Sequence, residues 1–201
     1  MTKELEPVRF YFSLRSPYSW LAFERLEEAF KGLPVELKYF PVFPPPNYQN
    51  DPAAVPNKLK YIQRDIARFA AAYGLPVKWP KVRDCEWQKP HAAYLYARDQ
   101  SAAHGHAFAL AMFRARFSEG KDIADPVVVA EIAARLGLDA SATIAALDDV
   151  ALQTRVVEGM IQGATEDSLF GVPLFVYRGE PFWGNDRIDW VAQAIRNAHS
   201  A

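Results

Sequence analysis

The stretch YFSLRSPYSW, residues 11–20, joins a strand-like run directly to a helix-like run. Residues 8–14 (VRFYFSL) are mostly apolar, which is typical of a buried strand. Over residues 17–31 apolar side chains recur at helical spacing, and a proline such as Pro17 is favoured at the first position of a helix. We therefore predict a strand-to-helix junction with Ser16 at the helix start. The backbone N–H groups at the start of a helix are oriented so that they can bind an anion.

The segments that follow extend this pattern. Residues 35–43 (VELKYFPVF) predict a second strand, which completes a β-α-β unit. Residues 57–74 (NKLKYIQRDIARFAAAYG) repeat apolar residues at three- and four-residue steps, which predicts an amphipathic helix. Further alanine-rich, periodic segments predict consecutive helices within 90–100, 105–120, 125–138 and 139–169.

Strand character returns only near the C-terminal end. In VPLFVYRGEPFWG, residues 172–184, two strand-like runs flank Arg178-Gly179, which predicts a β-hairpin. A last helix is predicted over residues 185–199, with Asn185 and Asp186 as candidate N-caps.

The order β-α-β, helical block, β-β-α predicts an α/β protein. An all-helical segment is then inserted between the two halves of one sheet. With Val172-Pro173 at the start of the first strand of the second half, this layout resembles the thioredoxin-like fold. We predict a discontinuous thioredoxin-like domain at residues 1–55 and 166–201, and a helical insertion at residues 56–165.

Composition and charge exclude several classes of protein. The formal net charge is -1, from 23 basic and 24 acidic residues, which argues against nucleic acid as a partner. No apolar segment approaches the roughly 18 residues that a membrane span needs. Residues 1–10 lack the apolar core of a secretory signal, so we expect a cytoplasmic protein. Cys85 is the single cysteine, which excludes an intramolecular disulfide and dithiol redox chemistry.

Three short motifs carry a resemblance to a known family: S-P-Y-S at 16–19, G-V-P at 171–173 and F-W-G-x-D-R at 182–187. With them, nearly the whole chain resembles the 2-hydroxychromene-2-carboxylate isomerases and the related kappa-class glutathione transferases, within the DsbA-like thioredoxin superfamily. The resemblance implies a thioredoxin-like fold with a DsbA-like helical insertion. It also places serines where the disulfide oxidoreductases of the superfamily have the cysteines of a C-x-x-C motif, so that the thiol must come from glutathione.

The resemblance implies that Ser16 hydrogen-bonds the sulfur of bound glutathione and favours its thiolate. The chemistry supports this role, because helix N-termini and nearby donors lower the pKa of a thiol from its usual value of about 8.5. The alternative is that Ser16 is only the N-cap of the helix that starts at Pro17. The two roles are compatible.

The resemblance implies further contacts with glutathione. It implies a cis peptide bond at Val172-Pro173, whose backbone pairs with that of glutathione, and it assigns Asp186 to the ammonium group of the glutamyl end. Ordinary helix capping is the alternative for Asn185 and Asp186, and an exposed surface side chain is the alternative for Lys58. The full predicted set of contacts consists of Ser16, Tyr18, Asn50, Lys58, Val172, Pro173, Asn185 and Asp186.

The sequence departs from the family pattern at several places. Ser13 stands where many members have an acidic residue, and Arg15 stands where they have an apolar one. Arg15 adds a positive charge near the thiolate site, or it points to solvent. Residues 79–90 (WPKVRDCEWQKP) differ from the segment that lines the second-substrate pocket. Asn47 is the alternative to Asn50 as the asparagine that contacts glutathione.

Other side chains that could carry chemistry have simpler interpretations. His104 and His106 lack a third ligand of suitable spacing, so we predict a solvated turn and no metal site. Cys85 lies between two acidic residues, which disfavours a thiolate, and we predict no catalytic role for it. Core packing, or the lining of an apolar pocket, is predicted for the aromatic residues Trp79, Trp87, Trp183, Tyr94 and Phe113.

We therefore predict a glutathione-dependent isomerase, in which the thiolate of bound glutathione adds reversibly to an aromatic acid substrate. A kappa-like glutathione transferase, which would stop at the adduct, is one alternative. A non-catalytic thioredoxin-like binding module is another. The expected partners are glutathione and an aromatic or acidic small molecule, and the resemblance also implies a homodimer.

Overall fold

The computed structural model describes residues 5–43, 55–81 and 86–200. The chain forms two compact units, of which the first comprises Met1–Val42 and Glu158–Ala201, and the second Phe43–Val157. The domain limits proposed from the sequence stay a prediction. Among the described residues, no helix combines the length and the apolar character that a membrane span requires.

The first unit is built on a four-stranded sheet. Its strands are β1 (Glu6–Phe12), β2 (Val35–Pro41), β3 (Leu174–Tyr177) and β4 (Glu180–Trp183). The strand order is β2-β1-β3-β4, with β1 parallel to β2 and antiparallel to β3, and with β3 antiparallel to β4. Helix α1 (Pro17–Ala29) connects β1 to β2, and α8 (Ile188–His199) follows β4. The two predicted halves therefore share one sheet, and the predicted α/β fold class is confirmed.

Six helices lie among the described residues between β2 and β3, in agreement with the predicted helical block. They are α2 (Pro56–Ala72), α3 (Gln88–Gln100), α4 (Ala102–Phe117), α5 (Pro126–Arg135), α6 (Ala140–Ala146) and α7 (Val150–Glu166). Short polar side chains begin several of them: Ser101, Asp125 and Asp139 each accept a backbone N–H of the first turn. The turn predicted at His104 and His106 is wrong, because the Ser101 cap starts α4 ahead of both residues.

Side chains of β1 alternate between two buried layers. Phe10 and Phe12 are fully buried on one face, where the ring of Phe10 stacks on that of Phe175 with centroids 4.4 Å apart. The ring of Phe23, in α1, packs against the rings of Phe10 and Phe12. On the opposite face Tyr11 packs in a cluster with apolar side chains of β3. Burial on both faces explains why β1 is a nearly continuous apolar run.

A buried carboxylate joins the end of α7 to β1. Asp167 is 8% exposed, and its Oδ2 accepts hydrogen bonds from Nε of Arg9 and from the hydroxyl of Tyr11, each at 2.6 Å. A second guanidinium nitrogen of Arg9 donates to Oδ1. Burial alone would raise the pKa of Asp167, but the hydrogen bonds from Arg9 and Tyr11 lower it on balance. The carboxylate is therefore ionised and held by two residues of the central strand.

Replacing Asp167 by asparagine should destabilise the protein. Breaking a buried ion pair costs about 3–5 kcal/mol, and less where one partner keeps access to water, as the one-third-exposed Arg9 does. We therefore expect Asp167→Asn to lower the free energy of unfolding by about 2–3 kcal/mol in urea denaturation. Asp99→Asn is the matched control, because Asp99 pairs with Arg155 at 2.7 Å on the surface and its loss should cost less than about 1 kcal/mol. Equal losses of free energy of unfolding in the two variants would show that burial does not increase the contribution of the Asp167 ion pair.

The aromatic residues predicted to pack or to line a pocket divide into two groups. Trp87, Tyr94 and Phe113 are buried, as predicted. Trp79 and Trp183 are 36% and 55% exposed, so core packing is wrong for them. Trp183 ends β4, which is an edge strand of the sheet, and such a position leaves a large side chain accessible to solvent.

A buried histidine lies in the second unit. His91 of α3 is 0% exposed, and its Nδ1 lies 2.6 Å from the carbonyl oxygen of Trp87. Because a carbonyl oxygen can only accept, Nδ1 carries the proton. Burial lowers the pKa of His91 to about 4, although the hydrogen bond to Trp87 acts in the opposite direction. The imidazole is therefore neutral at pH 7.

Acid should destabilise the protein through His91. Its pKa in the folded state, about 4, lies below the ordinary value of 6.5, so the unfolded chain binds the proton more tightly. The stabilisation is complete above the unfolded pKa and is lost as the pH falls towards 4, by about 3 kcal/mol in full. We expect His91→Gln to flatten this part of the pH profile of the free energy of unfolding, measured by chemical denaturation. A variant with the same slope as the intact protein would show that another group is responsible.

Candidate functional site

Three strand ends meet at one edge of the sheet. Tyr11, near the end of β1, pairs with Leu174 at the start of β3, and Leu174 pairs with Trp183 at the end of β4. The segments that follow β1, precede β3 and follow β4 therefore lie at the same edge. These segments are residues 13–16, 172–173 and 184–186. We call this end of the sheet, where β1 and β4 finish and β3 begins, the junction edge. It brings together the three sequence motifs.

Ser16 caps α1 at the junction edge. Its backbone is extended (φ -88°, ψ 115°), and its Oγ accepts a hydrogen bond from the backbone N–H of Ser19 at 3.2 Å. Its own N–H donates to the carbonyl oxygen of Ser13 at 2.9 Å. The N-cap role is therefore present in the structure. Accepting from Ser19 uses a lone pair of Oγ and does not occupy the hydroxyl proton.

The start of α1 is suited to a negatively charged group. The helix has 13 residues, and no side chain is acidic in its described first turn. The positive end of the helix dipole is therefore not offset from within the helix. Arg15, half-buried, precedes Ser16 in the chain. An anionic sulfur close to the Ser16 hydroxyl would be favoured by the helix dipole.

Two buried serines flank Ser16 in the chain. Ser13 is 4% exposed, and Ser19 is 0% exposed. The N–H of Ser13 donates to Oγ of Ser19 at 3.4 Å, and the N–H of Arg15 donates to Oγ of Ser13 at 3.3 Å. The sequence motifs alone assign neither serine a role in the site. The repeat of serine at every third position from 13 to 19 is the signal that could have found them.

The peptide bond between Val172 and Pro173 is cis, as predicted. The carbonyl oxygen of Pro173 accepts a hydrogen bond from the N–H of Gly184 at 2.9 Å, which joins the start of β3 to the residue after β4. Gly184 has a φ of 118°, and a Cβ there would lie 2.5 Å from Oδ1 of Asp186. Only glycine fits this position. The hydrogen bond therefore holds the segment after β4 beside the cis peptide.

Asn185 and Asp186 form a short 3-10 helix, Asn185–Arg187, ahead of α8. Their predicted role as N-caps of the last helix is wrong, because Arg187 is the N-cap of α8 and makes no side-chain capping bond. Asn185 is 2% exposed, and its Nδ2 finds no hydrogen-bond acceptor among the described residues. A buried donor without an acceptor lowers the stability of the folded protein by about 1–3 kcal/mol. The carboxylate of Asp186 is half exposed and lies 2.8 Å from the guanidinium group of Arg187.

The other residues singled out by the sequence lie in helices or outside the described ranges. Tyr18 is half-buried in the first turn of α1. Lys58 is exposed on α2, in the second unit. Asn47 and Asn50 lie outside the described residues, as does Cys85. The glutathione contacts of Lys58 and Asn50 therefore stay predictions.

The junction edge has the chemistry of a site for a small zwitterionic ligand. It offers a hydroxyl at a helix start, the backbone of a cis peptide, a buried amide donor and an accessible carboxylate. The hydroxyl and the amide can donate to anionic groups, and the carboxylate can bind an ammonium group. Within residues 5–43, 55–81 and 86–200, no group of three or more His, Cys, Asp or Glu is placed to hold a metal ion.

The chain is similar in sequence and in fold to several known proteins. A family model described as DSBA-like thioredoxin domain matches residues 7–196. The chain is 31% identical to a 2-hydroxychromene-2-carboxylate isomerase of Sphingobium xenophagum, over 95% of this chain and 97% of that protein. A solved structure of a 2-hydroxychromene-2-carboxylate isomerase is similar with a TM-score of 0.82 at 26% identity, over 97% of this chain and 99% of the other. The cytosolic disulfide reductase DsbM of Pseudomonas aeruginosa, solved with GSH, has a TM-score of 0.65 at 17% identity, over 96% and 98% of the two chains, which shows a likeness of fold alone.

Proposed function

We propose that this chain, which belongs to the family of DSBA-like thioredoxin domains, is a glutathione-dependent isomerase that acts on an aromatic carboxylic acid. The relatives confirm the predicted resemblance to 2-hydroxychromene-2-carboxylate isomerases, and their activity supports an isomerase here. The observation that carries the proposal is the Ser16 hydroxyl at the start of α1, at the same sheet edge as the cis peptide of Pro173.

Glutathione fits the chemistry of the junction edge. When bound, it supplies a sulfur that adds reversibly to an electrophilic carbon of the substrate and leaves after rotation about the bond that has become single. The GSH-containing structure of DsbM supports a place for glutathione in this fold. The orphaned Nδ2 of Asn185 and the accessible carboxylate of Asp186 support it independently, because glutathione carries both a carboxylate and an ammonium group at its glutamyl end.

The role of Ser16 is to hold the sulfur in its charged form. Its hydroxyl donates a hydrogen bond to the thiolate while its oxygen continues to accept from Ser19. The positive end of α1 and the guanidinium group of Arg15 act in the same direction. Together they favour a thiolate at neutral pH, where free glutathione is mostly protonated.

The remaining contacts orient glutathione. Asp186 binds the ammonium group of the glutamyl end, for which it exchanges its pairing with Arg187, and Asn185 donates to the adjacent carboxylate. The backbone of the cis segment pairs with the peptide backbone of glutathione. The other proposed contacts are those of Tyr18, Asn50, Lys58, Val172 and Pro173. A homodimer and a cytoplasmic location stay predictions.

Removing the Ser16 hydroxyl should raise the pKa of the bound thiol. A hydrogen bond to a charged group contributes about 1.5–3 kcal/mol, which corresponds to about one to two pKa units. We expect Ser16→Ala to shift the ultraviolet titration of bound glutathione thiolate by this amount. We also expect it to lower kcat/KM for 2-hydroxychromene-2-carboxylate by about tenfold to a hundredfold.

Ser101→Ala is the matched control for that experiment. Ser101 caps α4 as Ser16 caps α1, since its Oγ accepts the N–H of His104 at 3.0 Å. Both variants should lose about 1 kcal/mol of stability from the cap, but only Ser16→Ala should change the thiol titration. If the intact protein fails to bind glutathione in calorimetry at millimolar concentration, the isomerase proposal is wrong and the binding module remains.

Neutralising Asp186 should weaken glutathione binding. Asp186→Asn removes the charge proposed to bind the ammonium group, and we expect about a tenfold increase in the dissociation constant measured by calorimetry. Asp189→Asn is the matched control, because Asp189 is also an exposed aspartate paired with an arginine, Arg25, at 2.8 Å. It should leave the dissociation constant unchanged. An equal effect of the two substitutions would point to net charge instead of a specific contact.

A further inference from the structure

Ser13 and Ser19 are buried beside Ser16 and have no place among the proposed contacts with glutathione. A buried hydroxyl costs free energy unless it is hydrogen-bonded. At the Ser19 position, within the first turn of α1, alanine would also be the better helix former. The reason for serine at both positions must therefore lie in the hydrogen bonds that these residues make.

Ser13, Ser16 and Ser19 are joined in a closed cycle of hydrogen bonds. The N–H of Ser16 donates to the carbonyl oxygen of Ser13 at 2.9 Å, and the N–H of Ser19 donates to Oγ of Ser16 at 3.2 Å. The N–H of Ser13 donates to Oγ of Ser19 at 3.4 Å, which closes the cycle. Oγ of Ser13 accepts the N–H of Arg15 at 3.3 Å and so braces the turn between Ser13 and Ser16.

The cycle restricts the orientation of the Ser16 hydroxyl. One lone pair of its oxygen faces the N–H of Ser19, so the O–H bond points in one of the directions that this hydrogen bond leaves open. Movement of the turn between Ser13 and Ser16 would let Ser16 leave this rotamer. The hydroxyls of Ser13 and Ser19 restrict that movement from the two ends of the turn.

We propose that Ser13 and Ser19 are positioning residues, which hold Ser16 in the rotamer that presents its hydroxyl proton to a sulfur ligand at the start of α1. The inference rests on the proposed function for the identification of that sulfur with glutathione. Both side-chain hydrogen bonds are long, so each substitution has a modest effect.

A thiol introduced in place of the Ser16 hydroxyl tests the positioning role without glutathione. In a Cys85→Ser background, Ser16→Cys puts a sulfur where the N–H of Ser19 can donate to it, and its pKa follows from the pH dependence of alkylation by iodoacetamide. Adding Ser19→Ala should raise this pKa by about half a unit, a roughly threefold loss of thiolate, and Ser13→Ala should act in the same direction. An unchanged pKa in both combinations overturns the proposal.

Thr143→Ala is the matched control for the loss of a buried hydroxyl. Thr143 is 0% exposed in α6, and its Oγ1 donates to the carbonyl oxygen of Asp139 at 2.6 Å. Its substitution should lower stability without moving the pKa of the introduced thiol. A shift as large as that caused by Ser19→Ala would mean that general destabilisation explains the effect, and it would overturn the proposal.

A double-mutant cycle tests the same role with glutathione bound. Ser19→Ala should raise the pKa of the bound thiol by about half a unit in the intact protein and should have no effect in the Ser16→Ala variant. Equal shifts in both backgrounds would overturn the positioning role. If Ser16→Ala itself has no effect, the proposed function fails, whereas the introduced thiol still decides whether Ser13 and Ser19 position the residue between them.

Discussion

The carboxylate of Asp167 fixes the geometry on which the junction edge depends. Arg9 and Tyr11 hold it from the same face of β1, so the chain that leaves α7 is attached to the central strand. A carboxylate can be buried in this way only with such partners, since a buried charge without a hydrogen-bonded counterpart is strongly unfavourable. Only a few residues separate Asp167 from Pro173. The position of the cis segment relative to Ser16 is therefore set by this attachment and by the antiparallel pairing of β3 with β1.

Local patterns predicted the elements of this fold because each element is encoded within a short segment. The apolar run of β1 and the hairpin around Arg178-Gly179 are examples. The pairing of Arg9 with Asp167 could not be predicted, because the two residues are 158 positions apart and no periodicity relates them. The candidate site shows the same contrast between features encoded in one short segment and contacts between distant segments. The N-cap role of Ser16 was predicted from its local motif. The 3-10 helix at Asn185 follows Gly184, whose N–H donates to the carbonyl oxygen of Pro173, a contact between two distinct segments of the chain.

The capping role of Ser16 and its proposed role as a donor use different parts of one hydroxyl group. The oxygen accepts a backbone N–H through a lone pair, and the proton remains for a second partner. A cysteine at the same place would use the helix start to stabilise its own thiolate, since a thiol ionises near neutral pH. A serine hydroxyl keeps its proton under these conditions. With cysteine at this position, the helix start would stabilise the thiolate of the protein itself. With serine there, it can stabilise only the thiolate of a bound ligand.

The two departures from the family pattern at the junction act in the same electrostatic direction. An acidic side chain in place of Ser13 would put a negative charge close to the helix start and would raise the pKa of a thiol bound there. Ser13 is neutral, and its side chain is buried, so water would not hydrate a charge at this position. Arg15 adds a positive charge next to Ser16 in the chain, where an apolar residue would add none. Because electrostatic potentials add, the loss of one repulsion and the gain of one attraction both favour a thiolate. The hydrogen bond proposed from Ser16 would therefore act on a sulfur whose negative charge these two departures also favour.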